Sequence, residues 1–495
     1  MGDPVMQVLS APAGKGMAIL AAHPEGCRVQ AVRQITRAAQ AIPQPLPLAE
    51  GRTALVIGST TLGFGSSTAI ALRAAGFENI IGLGHEGLPV FEKDGSAVRR
   101  VSPGWYLTSA LHQAGTLDRT YIADAFQDGT RNRVIEDLRN AGLKLDALFY
   151  SVAAPRRTYQ GQTWASVIKV NGEPLYTVGI DYKTGRTTPV RILAATAQER
   201  FDTIQVMGGQ DLQLWVGALL SAGLLNEGAT VAAYSYIGSQ DSNDLRRVYW
   251  EGTMGDAKKD IDRATRAIRE QLRSLNGKAF SAVLPAVVTT ASAAIPSVVK
   301  YLAAYLGANV ASGVPYLDPL DVALRMVSYL YGSDQEWKKH IDSEGRLRLD
   351  TDELAPRTQR AIREIYDANG TPGCNVTPEM GIGLQAFHWL YENLFGFQVH
   401  GVNYQAPARF DVPLDPAMGV VNLLNPDVDA PIPVRPIVPV VAPVEELLTD
   451  AERKHLEDHY GPPPVVLDGD AGGSGSGSQG EGSDQGSGDP DESPK

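Results

Sequence analysis

The chain is 495 residues long, 43% hydrophobic and 20% charged, with a net charge of −12. This is the composition of a soluble globular protein, and its acidity argues against nucleic acid as a partner, which needs a basic stripe. Two cysteines rule out a disulfide framework, no run approaches the ~18 apolar residues of a membrane span, and no basic segment leads into a long apolar core. A cytoplasmic protein is expected.

Residues 1–15 read as a lead-in. A short apolar run at 16–22 is followed by His-Pro-Glu-Gly-Cys at 23–27 and a helical pattern over 29–41. His23 and Cys27 have no further ligands nearby at metal-binding spacing, so no metal is expected. Residues 53–57 form a continuous apolar run, as in a parallel strand covered on both faces. The run ends in Gly58-Ser-Thr-Thr-Leu-Gly63-Phe-Gly65, and a helix of small residues follows over 66–75. Strand, glycine loop and helix together present backbone N–H groups to a pyrophosphate. The same order also serves a plain turn that needs glycine for close packing. A second strand at 79–83 delivers Glu86, 21 residues after Gly65, a spacing that suits an acidic residue on an adenosine ribose. A carboxylate there accepts a free 2′-hydroxyl and repels a 2′-phosphate, so NADH is expected over NADPH.

The alternation continues with a helix at 104–113, a strand at 120–123, a helix at 130–141 and a strand at 145–151. Asp124, Ser151 and Ala153 fall at carboxyl ends of strands, where doubly wound sheets bind ligands. Asp124 is also suited to a helix N-cap. Residues 157–193 break the rhythm. The stretches 163–170 and 175–180 around Asn171-Gly172 have hairpin chemistry, and 181–186 is another polar turn. Helices follow at 195–205 and 212–225.

The stretch from Tyr234 to Lys258, YSYIGSQDSNDLRRVYWEGTMGDAK, begins in a β-prone apolar run and ends in an amphipathic helix. It holds tyrosines and a lysine, residue types that protonate or polarise a carbonyl oxygen. Tyr249 and Lys258 would stand about 13 Å apart on one continuous helix, but Gly252 and Gly255 let the backbone curl back. A packed tyrosine and a solvated lysine remain the alternative. Downstream, Ala257, Ile261, Ala264, Ile268, Leu272 and Leu275 form one buried helical stripe. A strand is expected at 281–290, then an apolar segment at 291–307 that suits either an acyl slot or a core helix. Helical spacing returns at 319–331, 355–368 and 381–394. Residues 416–467 read as a proline-rich linker with one short charged helix, and 468–495 as a disordered acidic Gly/Ser-rich tail.

Tyr249-x8-Lys258 resembles the signature of FabV-type enoyl reductases and the related trans-2-enoyl-CoA reductases. HPEGC at 23–27, GWY at 104–106, DAF at 124–126, YSVAAPRRT at 150–158, VMGG at 206–209, AYSYIG at 233–238, VVTTASAAIP at 287–296 and GRLRLD at 345–350 match in the family's order. The resemblance spans roughly 16–411. It implies an α/β protein with a Rossmann-type doubly wound parallel sheet, a single reductase domain over 16–415, a small antiparallel excursion near 157–193 and a substrate lid near 291–307. It also implies NADH-dependent reduction of the C2–C3 double bond of a 2-enoyl thioester carried on acyl carrier protein or coenzyme A, without flavin, by a monomer or weak oligomer.

The resemblance assigns Tyr249 as hydrogen-bond donor and proton source, Tyr236 as its assistant at the same oxygen, and Lys258 as holder of the cofactor and modulator of the phenol. Gly58, Gly63, Gly65, Glu86, Asp124, Ser151, Ala153, Val287, Val288 and Thr289 would line the cofactor path. Ile295 and Pro296 would meet substrate alongside the two tyrosines. The chain departs from the family in placing four residues between Gly58 and Gly63, where three are usual. It also carries about three extra residues between Tyr236 and Tyr249. Two rival readings stand beside it: a carbonyl-reducing short-chain dehydrogenase using the same Tyr/Lys pair, and a family member that has lost catalysis and acts by binding.

Overall fold

The computed structural model describes residues 24–394 except 47, 49, 61–62, 87–89, 92–97, 101–102, 182–183, 241–242, 290–291, 293–296, 315 and 333–335. It also describes residues 7–8, 409–410, 420–422 and 432–433. By contacts the chain divides into Met1–Pro464 and Val465–Lys495. The second unit, the tail expected at 468–495 and the charged helix expected before it lie outside the described residues.

Eight described strands make one parallel sheet: β1 (Thr53–Ile57), β2 (Asn79–Gly84), β3 (Arg119–Ile122), β4 (Leu145–Tyr150), β5 (Leu225–Ser235), β6 (Lys278–Val283), β7 (Leu347–Arg348) and β8 (Val420–Asn422). Their order is β7-β6-β5-β4-β1-β2-β3-β8. Strand order reverses between β1 and β4, the switch point of a doubly wound sheet. Val420–Asn422, inside the stretch expected to be linker, is an edge strand parallel to β3.

The helices are α1 (Pro24–Ala41), α2 (Phe64–Ala75), α3 (Pro103–Gln113), α4 (Asp128–Asn140), α5 (Ala197–Met207), α6 (Gln210–Ser221), α7 (Thr253–Gln271), α8 (Val298–Ser312), α9 (Pro319–Tyr331), α10 (Pro356–Ala368) and α11 (Pro378–Leu394). They cover both faces of the sheet, and the period-2 alternation of β1 shows how. Leu55 and Ile57 join a core with α4, α6 and α7, including Trp215, Ile261 and Ile268. Ala54 and Val56 join the opposite core with α2 and with α8 through α11. That two-sided burial is why the strand is apolar from Ala54 to Ile57.

The antiparallel excursion exists; its second hairpin closes at the polar turn expected over 181–186, whereas no hairpin forms about Asn171-Gly172 among the described residues. The hairpins are Arg156–Tyr159 with Gln162–Ala165, and Leu175–Asp181 with Arg186–Ile192. The first turns at Gln160-Gly161, both with positive φ (49° and 77°). Asn171 is instead a tertiary anchor, its amide donating to Glu251 O at 2.6 Å and Asp256 Oδ2 at 3.0 Å. Gln7–Val8, from the expected lead-in, pairs in parallel with Val190–Arg191.

Strand β6 stops at Val283, short of the expected 290, because Pro285 cannot donate to a ladder. The Ala286 amide turns instead to Glu353. Over the described part of 291–307, α8 is buried from Val299 to Asn309 and acts as a packing element beneath α10 and α11. No helix among the described residues is long and apolar enough to cross a membrane.

Candidate active site

A cavity of about 450 Å³ opens at the carboxyl ends of β1 to β4, and Gly58, Glu86, Asp124, Ser151 and Ala153 all line it. Five of the expected cofactor residues thus share one cavity. Gly58 has φ 96°, and a methyl group there would lie 2.3 Å from Ser151 O, so only glycine fits. At Gly65 a methyl would lie 1.9 Å from Gly58 O, because the loop folds directly onto α2. The first turn of α2 has no acidic side chain, and its capping residue is Gly63, which supplies no side-chain cap. The positive end of the helix dipole therefore has no built-in anion. Together these residues fit a dinucleotide.

Glu86 is buried against the start of α3, where a methyl at Gly104 would lie 2.2 Å from Glu86 Oε1. Asp124 is not an N-cap. The capping residue of α4 is Gln127, while Asp124 accepts from the Phe126 amide and from Gln127 Nε2, both at 2.9 Å, in a side-chain turn. The cavity wall is braced from behind by a buried ion pair, Arg131 to Asp211 at 2.8 Å. Arg131 also donates to Ala125 O and Phe126 O, both at 3.1 Å. Burial pushes the Asp211 carboxyl up to about 6, against the pull of Arg131.

Gly63 faces a second segment, because a methyl there would lie 3.6 Å from Thr289 Cγ2. Val287 and Val288 are buried. The Thr289 amide donates to Ser292 Oγ at 2.8 Å, and that hydroxyl donates to Val287 O at 3.1 Å. The structure therefore brings the glycine loop and 287–289 together, whereas Ile295 and Pro296 lie outside the described residues.

The tyrosines gather where β5 ends. Tyr234 shares a short hydrogen bond with Thr68 of α2. The Tyr236 and Tyr249 rings meet edge to face, 5.4 Å apart at 82°. Tyr249 rides on a π-helical turn, Arg246–Trp250, a distortion that recurs at functional sites. The chain then reverses tightly into α7. A methyl at Gly255 would lie 2.0 Å from Trp250 O, and one at Gly252 2.6 Å from Lys169 O. The stripe of α7 is buried as expected, from Ala257 through Ile268.

Lys258, half-buried, donates to Tyr234 O at 3.1 Å. Burial draws its ammonium down to about 8, opposed by Asp262. Burial also raises the Tyr236 and Tyr249 phenols well above their ordinary range. Desolvation sets the state of the two phenols, and both hydroxyls keep their protons.

One group at this site carries no motif. Glu353, 1% exposed, accepts at Oε1 from Tyr236 at 3.2 Å and Tyr301 at 2.6 Å. Its Oε2 accepts from the Ala286 amide at 2.7 Å. Gln359 Nε2 donates to Tyr301 Oη at 3.1 Å and to Glu353 O at 2.7 Å. Nothing in its neighbourhood, Thr351-Asp352-Glu353-Leu354, distinguishes it from a surface turn.

Three family models match the chain: "Trans-2-enoyl-CoA reductase catalytic region" over residues 99–314, "NAD(P)H binding domain of trans-2-enoyl-CoA reductase" over 9–90, and "Enoyl reductase FAD binding domain" over 341–408. An enoyl-[acyl-carrier-protein] reductase [NADH] of Pseudomonas paraeruginosa is 35% identical over 426 residues, 84% of this chain and 99% of its own. One from Burkholderia pseudomallei is 35% identical over the same shares of both chains. The crystal structure of the Clostridium acetobutulicum trans-2-enoyl-CoA reductase in complex with NADH is 30% identical, with a TM-score of 0.70, covering 81% of this chain and 97% of that one.

Fold, site and relatives together define an NAD(H)-dependent oxidoreductase. More narrowly, the chain belongs to the trans-2-enoyl-CoA reductase family and is an NADH-dependent enoyl reductase, acting on the double bond of trans-2-enoyl thioesters. The flavin named for 341–408 does not fit the described residues of that range. Glu353 and Gln359 are already bonded to protein groups. Helices α8 and α11 meet at backbone distance: a methyl at Gly383 would lie 1.8 Å from Ala303 O, and one at Gly307 2.4 Å from Glu379 O.

Proposed function

We propose that Tyr249 and Tyr236 are the two donors that stabilise the thioester oxygen while the double bond is reduced, with Tyr249 the principal one. NADH, when bound, supplies the hydride to the β-carbon, and negative charge then develops on that oxygen. Donors already aimed at the developing charge, in a site closed to water, lower the barrier. The observation that carries this reading is the edge-to-face pair of phenols at the end of β5, Tyr249 buried and Tyr236 half-buried, both held protonated by desolvation. Across the sheet's switch point, Gly58, Gly63 and Gly65 make room for the pyrophosphate and Glu86 accepts from the ribose, favouring NADH over NADPH. Asp124, Ser151 and Ala153 line the adenosine side, Val287 to Thr289 flank the nicotinamide, and Lys258 supplies positive charge near the ribose. The acyl group arrives on acyl carrier protein or on coenzyme A. Replacing Tyr249→Phe tests the assignment. With crotonyl-CoA, kcat should fall about a hundredfold or more while the NADH dissociation constant changes little; undiminished kcat refutes it.

A further inference from the structure

Glu353 stands between β7 and α10, remote in sequence from the tyrosines of the site, yet its carboxylate touches the Tyr236 hydroxyl. A phenol has one proton to give. While Glu353 is ionised, the protons of Tyr236 and Tyr301 both point at Oε1, and the Tyr236 proton is not offered to a substrate. A proton added to the carboxyl goes to Oε1, since Oε2 faces the Ala286 N–H. Of the two phenols at Oε1, Tyr301 already accepts from Gln359, which leaves the Tyr236 oxygen as the acceptor for the new O–H.

We propose that Glu353 is a positioning residue for Tyr236: ionised, it holds the phenol's proton away from the substrate, and protonated, it donates to the phenol oxygen and releases that proton to the thioester oxygen. This rests on the reading of Tyr236 as a donor to that oxygen. The groups facing Glu353 are Tyr236 after β5, Tyr301 and Tyr305 on α8, Gln359 on α10, the Ala286 amide, and Asp350 on its own loop, itself paired with Arg348 at 2.8 Å. Burial pushes the Glu353 carboxyl up to about 7, and Asp350 adds to the rise. The hydrogen bonds from Tyr301, Ala286 and Tyr236 hold it down. The exchange between the two states therefore falls near neutral pH, with the releasing state on the acid side.

The test is kcat for crotonyl-CoA and NADH from about pH 6 to pH 9, measured on the full chain as wild type, Glu353→Gln, Tyr301→Phe and Tyr236→Phe. Wild-type kcat should fall as pH rises through about 7. Glu353→Gln should lose that limb, with KM within about threefold of wild type. Tyr301→Phe removes a hydrogen bond that favours the carboxylate, so its limb should move to higher pH. A folded Gln variant that keeps the wild-type limb, or a Tyr301→Phe midpoint that does not move, overturns the proposal. If Glu353→Gln does not fold, the Tyr301→Phe midpoint decides alone in the same sense. Undiminished kcat in Tyr236→Phe would instead remove the reading of Tyr236 as a donor. Reduced kcat there beside unmoved limbs removes only the role of Glu353.

Discussion

The two halves of the site are built in opposite ways. The cavity at β1 to β4 is local: each of its glycines, turns and carboxylates lies within a few residues of the strand end that carries it. The tyrosine half is assembled from afar, with Tyr236 after β5, Tyr249 on a π turn, Tyr301 on α8 and Glu353 before α10. Backbone shape dominates the first half, where room for a ligand depends on missing side chains. Buried side-chain chemistry dominates the second, where desolvation sets which groups hold protons.

The largest effect is expected at Gly58→Ala, which combines a positive φ with a methyl 2.3 Å from the Ser151 backbone. The strain costs about 1–3 kcal/mol, so thermal unfolding should come earlier and NADH binding by calorimetry should weaken strongly. Wild-type affinity would show that the loop is not a cradle.

Lys258, which donates to Tyr234 O, is the proposed link between the two halves. If its charge serves the cofactor, NADH affinity should decline as pH rises through about 8, where this ammonium loses its proton. Lys258→Met should bind about tenfold more weakly with no such decline. The stability linkage has the opposite sign. The folded pKa lies below the ordinary 10.5, so the native state gains stability relative to the unfolded chain as pH rises from about 8 toward that value, and the Met variant should lack this gain.

The smallest effect is expected at Glu86→Gln, which should narrow the preference for NADH over NADPH by about tenfold in kcat/KM. A preference left intact would assign Glu86 to the α3 terminus alone.

The same contrast explains what could be read in advance. The β1–loop–α2 unit, Glu86, Asp124 and the α7 stripe follow from local pattern, because alternation and glycine placement are local consequences of backbone geometry. The hairpin turn was misplaced because Asn171-Gly172 has turn chemistry, yet Asn171 is held by Glu251 and Asp256, while Gln160 accepts a positive φ that its residue type disfavours. The end of β6 is overrun by a sequence reading because the valines and threonines at 287–290 look strand-like, although the Ala286 and Thr289 amides turn to the side chains of Glu353 and Ser292. Glu353 had no sequence signal at all, since its importance lies in groups 52 to 117 residues away. Val420–Asn422 lies in a proline-rich stretch whose composition hides an edge strand.

The most direct measurement is a double-mutant cycle on kcat/KM for crotonyl-CoA, comparing Tyr236→Phe, Tyr249→Phe and the pair, with NADH affinity measured beside each. If both phenols serve one oxygen, the combined loss should differ from the sum of the single losses by about 0.5–3 kcal/mol, with NADH affinity preserved throughout. A double variant that retains wild-type kcat/KM, or one whose whole loss lies in NADH affinity, would contradict the account.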